Sequence, residues 1–177
     1  PESVFKWAEP GHAYAGQIVP GPDGKFYMYA PVSEAKSDAP DRFAIGVAVA
    51  DTPVGPWRDA HPSGPIISQR VPERNTIQNI DPTVMIDDDG TPYIYWGTFG
   101  QLRGMALARD MITPTGREIR IDGLKGFFEA PWLMKRKGRL LHALRRQRCG
   151  ADERLHASGL SCLHRLRHRE LATRAVD

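Results

Sequence analysis

The first 138 residues contain no cysteine, and the last 39 contain no aromatic residue and no lysine. Without cysteine, the first part needs no disulfide, and its redox compartment is left unspecified. No stretch approaches the ~18 consecutive apolar residues of a membrane span, so we expect no membrane partner. The chain opens on Pro1 with no initiator Met and no signal-peptide pattern. Its localisation therefore stays unknown, and we expect the natural start to lie upstream.

Charge divides the chain at the same place. Residues 1–138 hold 15 Lys and Arg against 17 Asp and Glu, a net charge of −2. Residues 139–177 hold nine Arg against four acidic residues, a net charge of +5, and both cysteines, Cys149 and Cys162. The sequence pI of about 9.0 is therefore a property of the tail.

The first part has the pattern of an all-β protein. "GPDGKFYMYAPV" (21–32) joins an Asp-Gly turn to an aromatic strand, which predicts a hairpin, and "DDDGTPYIYWGT" (87–98) repeats the plan. "FAIGVAVADTPVGPW" (43–57) and "MALARDM" (105–111) predict further strands. A repeated β unit of this kind is typical of propeller blades, which run at about 40–50 residues. Residues 1–138 then form about two to three blades, too few to close a ring.

Two carboxylates are candidates for chemistry. Asp81 precedes Pro82, which favours an extended backbone and places the carboxylate at the start of a strand; an Asx-type turn is the alternative. Glu129 lies in "GFFEAPWLMKR", where apolar neighbours disfavour its charged form and raise its pKa, as a general acid requires. An exposed turn before Pro131 is the alternative for Glu129. Two such carboxyls on separate strands suit glycoside hydrolysis.

Three further features remain open. Asp87, Asp88 and Asp89 precede Gly90, but Met85 occupies the first ligand position of a calcium loop, which favours a solvated hairpin turn. His12 and Tyr14 in "GHAYAGQIVP" are candidates to line a sugar site, with core packing as the alternative.

Four motifs in order give the chain a family resemblance. "GHAYAGQIVPGPDGKFYMYAPV", "IGVAVADTPVGPW", "IDPTVMIDDDGTPYIYWG" and "FFEAPWLMKRKG" resemble glycoside hydrolase family 43, over roughly residues 5–138. The resemblance implies a five-bladed β-propeller and an inverting β-xylosidase, α-L-arabinofuranosidase or arabinanase. It implies oligo- or polysaccharide substrates of the xylan and arabinan type, and no required organic cofactor. A structural calcium occurs in the complete family fold, but no ligands for it are evident in this sequence.

The resemblance also implies roles for individual residues. Glu129 matches the general acid, and Asp81 matches the Asp that tunes the pKa of the acid and orients it. His12 and Tyr14 match a segment usually written His-Ala-Trp-Ala, whose aromatic residue borders the substrate; Tyr14 departs from Trp. The base Asp of the family has no match between Pro1 and Pro10. We therefore expect the chain to begin inside the first blade and to be inactive alone. A non-catalytic carbohydrate-binding propeller is the alternative function.

The tail departs from the family pattern. After "KRKG" the resemblance implies an aromatic strand, whereas the chain has "RLLHALRRQR" (139–148). One extra base near the codons of Gly138 and Arg139 accounts for this, because a shifted frame can encode Ala-Tyr-Tyr-Met-Leu-Tyr-Ala-Ala there. The codons of residues 164–177, read in the same shifted frame, can encode a segment similar to residues 45–57. We therefore predict that residues 139–177 are a frameshifted, non-native tail. The alternative, an Arg-rich arm that contacts phosphates, lacks aromatic residues to stack on bases, so we expect no nucleic-acid partner.

Overall fold

The computed structural model of the chain describes residues 2–73, 75–121, 124, 126–136, 139–146 and 164–165. Within these ranges the backbone forms twelve strands in three antiparallel sheets, and it forms no helix. In the same ranges there is accordingly no helix long and apolar enough to cross a membrane. The all-β prediction is confirmed.

The first sheet contains five strands. They are β1 (Ala8–Ala13), β2 (Gln17–Pro20), β3 (Phe26–Glu34), β4 (Phe43–Ala50) and β5 (Arg58–Asp59). Strands β2 to β5 pair in chain order, and β1 pairs with the far end of β3. The hairpin predicted at 21–32 is formed by β2 and β3, where Gly24 takes the positive φ of 80° that its turn requires.

The second sheet repeats this plan with four strands in chain order. They are β6 (Thr83–Ile86), β7 (Pro92–Trp96), β8 (Leu102–Leu107) and β9 (Pro114–Ile121). The strand predicted at 105–111 ends earlier, at Leu107. Beyond it the amide of Met111 donates to the carbonyl of Ala108 at 3.0 Å, and this turn leads into β9.

The third sheet contains β10 (Phe127–Arg136), β11 (Arg139–Arg146) and β12 (His164–Arg165). Strand β11 pairs antiparallel with β10, at the place after "KRKG" where the family resemblance implies a strand. A five-stranded sheet, a four-stranded sheet and a third, smaller sheet agree with the predicted two to three blades. The rest of the tail, at 147–163 and 166–177, lies outside the described residues, and the frameshift stays a prediction.

Side-chain alternation explains how the sheets stack. Successive residues of a strand point to opposite faces, so Tyr27 and Tyr29 face the second sheet while Met28 faces away from it. In the second sheet, Ile94 and Trp96 face back toward the first, and the Tyr pair of β7 packs toward the third. The two Tyr-x-Tyr repeats therefore have equivalent positions, each covering the next sheet along the chain.

The outer face of the first sheet is covered by the N-terminal segment. Phe5 is buried there against β3 and β4, and the indole nitrogen of Trp7 donates to a carboxylate oxygen of Asp59 at 3.2 Å. Gly46 makes room for both rings, because a Cβ at this position would lie 2.9 Å from each of them.

Candidate active site

Asp81 lies immediately before β6 and is held by the third sheet. Its Oδ2 accepts a hydrogen bond from the amide of Ala130 at 3.0 Å. The φ of Asp81 is +55°, so the extended backbone predicted from the following proline is wrong. Asp tolerates the left-handed region better than most residues, and the bond to Ala130 stabilises this conformation.

Ala130 has a positive φ of 54° as well, although alanine gains nothing from that conformation. A hydrogen bond thus joins two non-glycine residues that both have unfavourable backbone conformations. Such residues persist only where the surrounding structure holds them, and they concentrate at functional sites. The observation marks this point of contact between the second and third sheets as a candidate site.

Glu129 precedes Ala130 and lies within β10, half-buried, so the alternative of an exposed turn is wrong. The pairing register of β10 with β11 shifts on both sides of Glu129, once after Phe127 and again before Trp132. Irregularities of this kind redirect a side chain relative to a regular strand. The apolar setting expected for Glu129 is only partly present, since Phe127 is buried whereas Trp132 is 47% exposed.

Two buried threonines of the second sheet hold the backbone around Glu129. The hydroxyl of Thr98 donates to the carbonyl of Phe128 at 3.3 Å, and Oγ1 of Thr83 accepts from the amide of Leu133 at 3.2 Å. Together with Asp81 they fix β10 at three points that flank Glu129. No local pattern predicted these contacts, because threonine is common in strands for its branched side chain alone.

Asp81 is influenced by its surroundings and by the neighbouring carboxyl. Burial raises the pKa of Asp81, the negative charge of Glu129 raises it further, and the hydrogen bond from Ala130 opposes both effects. The protonation of Asp81 therefore depends on the charge of Glu129. Two neighbouring carboxyls, one of them held by a backbone amide, are an arrangement that can hold and deliver a proton.

His12 and Tyr14 lie in the first sheet and in the loop that follows β1. His12 is half exposed, with Nδ1 3.5 Å from a carboxylate oxygen of Glu9. The ring of Tyr14 packs edge-on against Phe43 at 4.8 Å and borders a largely apolar cavity of 330 Å³. Neither side chain is fully buried, and their place in a sugar site stays a prediction.

The acidic turn at residues 87–90 forms a hairpin, as expected, and it also contacts Lys135 of the third sheet. The amide of Gly90 donates to the carbonyl of Asp87 at 2.9 Å, which closes the turn between β6 and β7. The ammonium of Lys135 pairs with the carboxylates of Asp87 and Asp88. Within the described ranges, no three His, Cys, Asp or Glu side chains gather closely enough to hold a metal ion.

Comparison with known proteins places these features in a family context. The sequence model of the glycosyl hydrolases family 43 matches residues 2–150. A xylosidase/arabinosidase of Bacteroides ovatus is 39% identical over 107 residues, which cover 56% of this chain and 28% of that protein. An arabinoxylan arabinofuranohydrolase of Bacillus subtilis is 37% identical over 140 residues, which cover 67% of this chain and 25% of the relative.

Solved structures give the same result for the fold. An α-L-arabinofuranosidase of Clostridium thermocellum superposes with a TM-score of 0.70 at 28% identity, covering 93% of this chain and 54% of that protein. The chain thus spans about a quarter of the two curated relatives and about half of the solved structure.

Proposed function

The chain belongs to the glycosyl hydrolases family 43, and we propose that it carries the acid side of a glycosidase active site. The observation that supports this most is the hydrogen bond from the amide of Ala130 to Asp81, directly beside Glu129. The proposed substrates are xylosyl and arabinofuranosyl linkages of plant polysaccharides. The two curated relatives, a xylosidase/arabinosidase and an arabinoxylan arabinofuranohydrolase, support this substrate class.

In the proposed mechanism, Glu129 is the general acid and Asp81 orients it. Glu129 donates its proton to the glycosidic oxygen as the bond to the anomeric carbon breaks, so the leaving group departs as a neutral alcohol. Asp81 fixes the backbone at Ala130 and thereby the direction of the neighbouring carboxyl. A third carboxylate, the base, takes a proton from water on the opposite face of the sugar, which inverts the configuration.

We expect the 177-residue chain to be inactive by itself. Inverting hydrolysis needs a base carboxylate roughly 6.5–9.5 Å from the acid, with water between them. No carboxylate of this sequence matches the base motif of the family. The activity is therefore to be measured on a longer chain, read from the gene with the frame corrected near residues 138–139.

The nucleotide sequence itself tests the frame: codons that do not yield the aromatic strand in the shifted frame contradict the predicted frameshift.

The test of the acid uses the leaving group. We expect Glu129→Gln to lower hydrolysis of an alkyl or unactivated aryl glycoside about 10²–10⁴-fold, the usual contribution of proton transfer. With a dinitrophenyl glycoside, whose leaving group needs no proton, the loss should be far smaller. Asp89→Asn, an exposed carboxylate in the β6–β7 turn, is the matched control and should change neither rate. Equal losses on both substrates would contradict the role of Glu129 as the acid.

A carbohydrate-binding propeller without catalysis is the second candidate, favoured by the absence of a match to the base. It predicts that the longer chain binds xylo- or arabino-oligosaccharides but releases no sugar from any of these glycosides. His12 and Tyr14 are proposed as contacts of the bound sugar in either case, and Tyr14→Ala should weaken binding in both.

A further inference from the structure

The turn between β7 and β8, residues 97–101, presents an aromatic side chain to solvent beside the candidate site. Phe99 at its tip is 67% exposed and has a positive φ of 52°. Neither property stabilises the folded chain, since a positive φ is costly for a bulky residue and an exposed phenyl ring buries little apolar area. A polar residue such as Asn would suit this position better on stability alone.

The turn is nevertheless firmly held. The amide of Gly97 donates to the carbonyl of Ile80 at 2.9 Å, and the amide of Gln101 donates to the carbonyl of Thr98 at 3.1 Å. Gly97 has a φ of 137°, and a Cβ there would lie 2.0 Å from the carbonyl oxygen of Gln101, so only glycine fits. Phe99 is thus an exposed ring on a rigid support.

The position of the ring connects it to the carboxylates. The ring of Phe99 meets that of Phe128 edge-on, with centroids 5.3 Å apart and planes at 76°. Phe128 directly precedes Glu129, and its carbonyl is held by Thr98, the residue before Phe99. Phe99 therefore packs on the residue that precedes the candidate acid in β10.

We propose that Phe99 is a stacking platform for a sugar ring of the bound oligosaccharide, next to the linkage that Glu129 protonates. The inference rests on the proposed function for its choice of ligand. A pentose ring has an apolar C–H face and a polar rim, so its C–H face fits an exposed aromatic ring such as that of Phe99. A rigid aromatic ring with two side-chain torsions loses little entropy on binding, and its edge-on partner keeps it in place.

The test is a binding titration of the 177-residue chain with xylotriose and with arabinotriose, followed by amide NMR shifts. We expect Phe99→Ala to raise the Kd for at least one of these sugars about tenfold, which corresponds to ~1.4 kcal/mol. Phe99→Trp should keep the Kd within about threefold, because it preserves an aromatic face. Trp132→Ala is the matched control, because Trp132 is also a half-exposed aromatic residue of this region. Its neighbour Leu133 faces the second sheet, so Trp132 points to the opposite side of the strand. Its Kd should stay within about twofold of the wild-type value.

A second readout separates a binding role from a structural one. Phe99→Asn suits the positive φ, so we expect it to raise the urea midpoint of unfolding while it weakens sugar binding. A structural role predicts a lower midpoint instead.

Unchanged affinity in Phe99→Ala, equal losses in Trp132→Ala, or no binding of either sugar by the wild type would each overturn the proposal. Because these titrations involve no hydrolysis, a failure of Glu129 as the acid in the leaving-group assay would leave the result for Phe99 unaffected.

Discussion

The two junctions between sheets are built differently. At the first junction, between the first and second sheets, thirteen buried apolar and aromatic residues form one cluster around Tyr29 and Trp96. At the second junction, between the second and third sheets, the buried cluster of described residues comprises four. There three bonds, from Asp81, Thr83 and Thr98 to the backbone of β10, accompany this small cluster. At the first junction such bonds, as from the Tyr29 hydroxyl to the Met111 carbonyl at 2.7 Å, accompany a much larger cluster.

The difference separates stability from positioning. Apolar burial is non-directional and stabilises the fold roughly in proportion to area. Hydrogen bonds from side chains to a backbone add modest net stability but fix atoms to within a few tenths of an ångström. Proton transfer to a glycosidic oxygen depends on position, so the second junction is the appropriate place for Glu129.

Trp96→Ala tests the first junction. The side chain is fully buried and its indole nitrogen donates to Asn79 Oδ1 at 2.9 Å, so the change leaves a cavity and removes one of the two bonds that this oxygen accepts. We expect the free energy of unfolding in urea to fall by about 3–5 kcal/mol. Trp132→Ala, with a side chain 47% exposed, serves as the control and should cost much less. A similar loss of unfolding free energy in both variants would mean that the buried ring at the first junction stabilises the fold no more than the half-exposed ring of the third sheet.

Thr83→Val tests the second junction. Valine keeps the branched shape but removes the acceptor of the Leu133 amide, which is then left unpaired in a buried place. We expect a loss of about 1–3 kcal/mol in urea unfolding. Thr83→Ser retains the hydroxyl and should restore slow hydrogen exchange of the Leu133 amide. If the Leu133 amide exchanges at the same rate in Thr83→Val and in Thr83→Ser, the hydrogen bond from this amide to Thr83 is not what holds β10.

The pH dependence of stability tests the charge at Asp81. Burial and the charge of Glu129 raise the pKa of Asp81 above its ordinary value of 3.8. The folded chain therefore binds this proton more tightly than the unfolded chain, and its contribution to stability is lost as pH rises through the raised pKa. Asp81→Asn lacks this titration. The unfolding free energy of the variant minus that of the wild type should thus increase from about pH 3 to about pH 7. A difference that is flat or decreasing over that range would contradict the raised pKa of Asp81.

Lys135→Met gives the smallest expected effect. The ammonium joins β10 to the β6–β7 turn through Asp87 and Asp88, but Asp88 is largely exposed and the pairing is screened by salt. We expect a small decrease of the urea midpoint at low salt that disappears in concentrated NaCl. Lys36→Met, an exposed lysine between β3 and β4, is the control and should show no such salt dependence. A salt-independent loss would mean that packing of the lysine stem, rather than charge, stabilises the junction.

Sequence patterns predicted the features that repeat locally. Turn residues at 21–24 and 87–90, each followed by Tyr-x-Tyr, define two hairpins because turn geometry and alternation depend on neighbouring residues. The same patterns indicated an all-β fold of two to three blades. The identity of the two candidate carboxylates came from motifs that matched the family.

The contacts between sheets could not be predicted in the same way. Asp81 and Ala130 are 49 positions apart, and their bond exists only because the third sheet packs on the second. The bias from Pro82 toward an extended backbone was overridden by this bond, which holds Asp81 in the left-handed region. Thr83, Thr98 and Phe99 had no distinguishing local pattern, and their roles depend on what lies opposite them.

Hydrogen exchange at the Ala130 amide tests the central claim most directly, namely that Asp81 holds the backbone beside Glu129. In the wild type this amide should be protected, and Asp81→Asn, which keeps a side-chain acceptor, should retain part of that protection. Asp81→Ala should increase exchange at Ala130 about 10- to 100-fold, the loss of one hydrogen bond of ~1.4–2.8 kcal/mol, while Leu133 stays protected by Thr83. Equal exchange at Ala130 in the wild type and in Asp81→Ala would contradict the account.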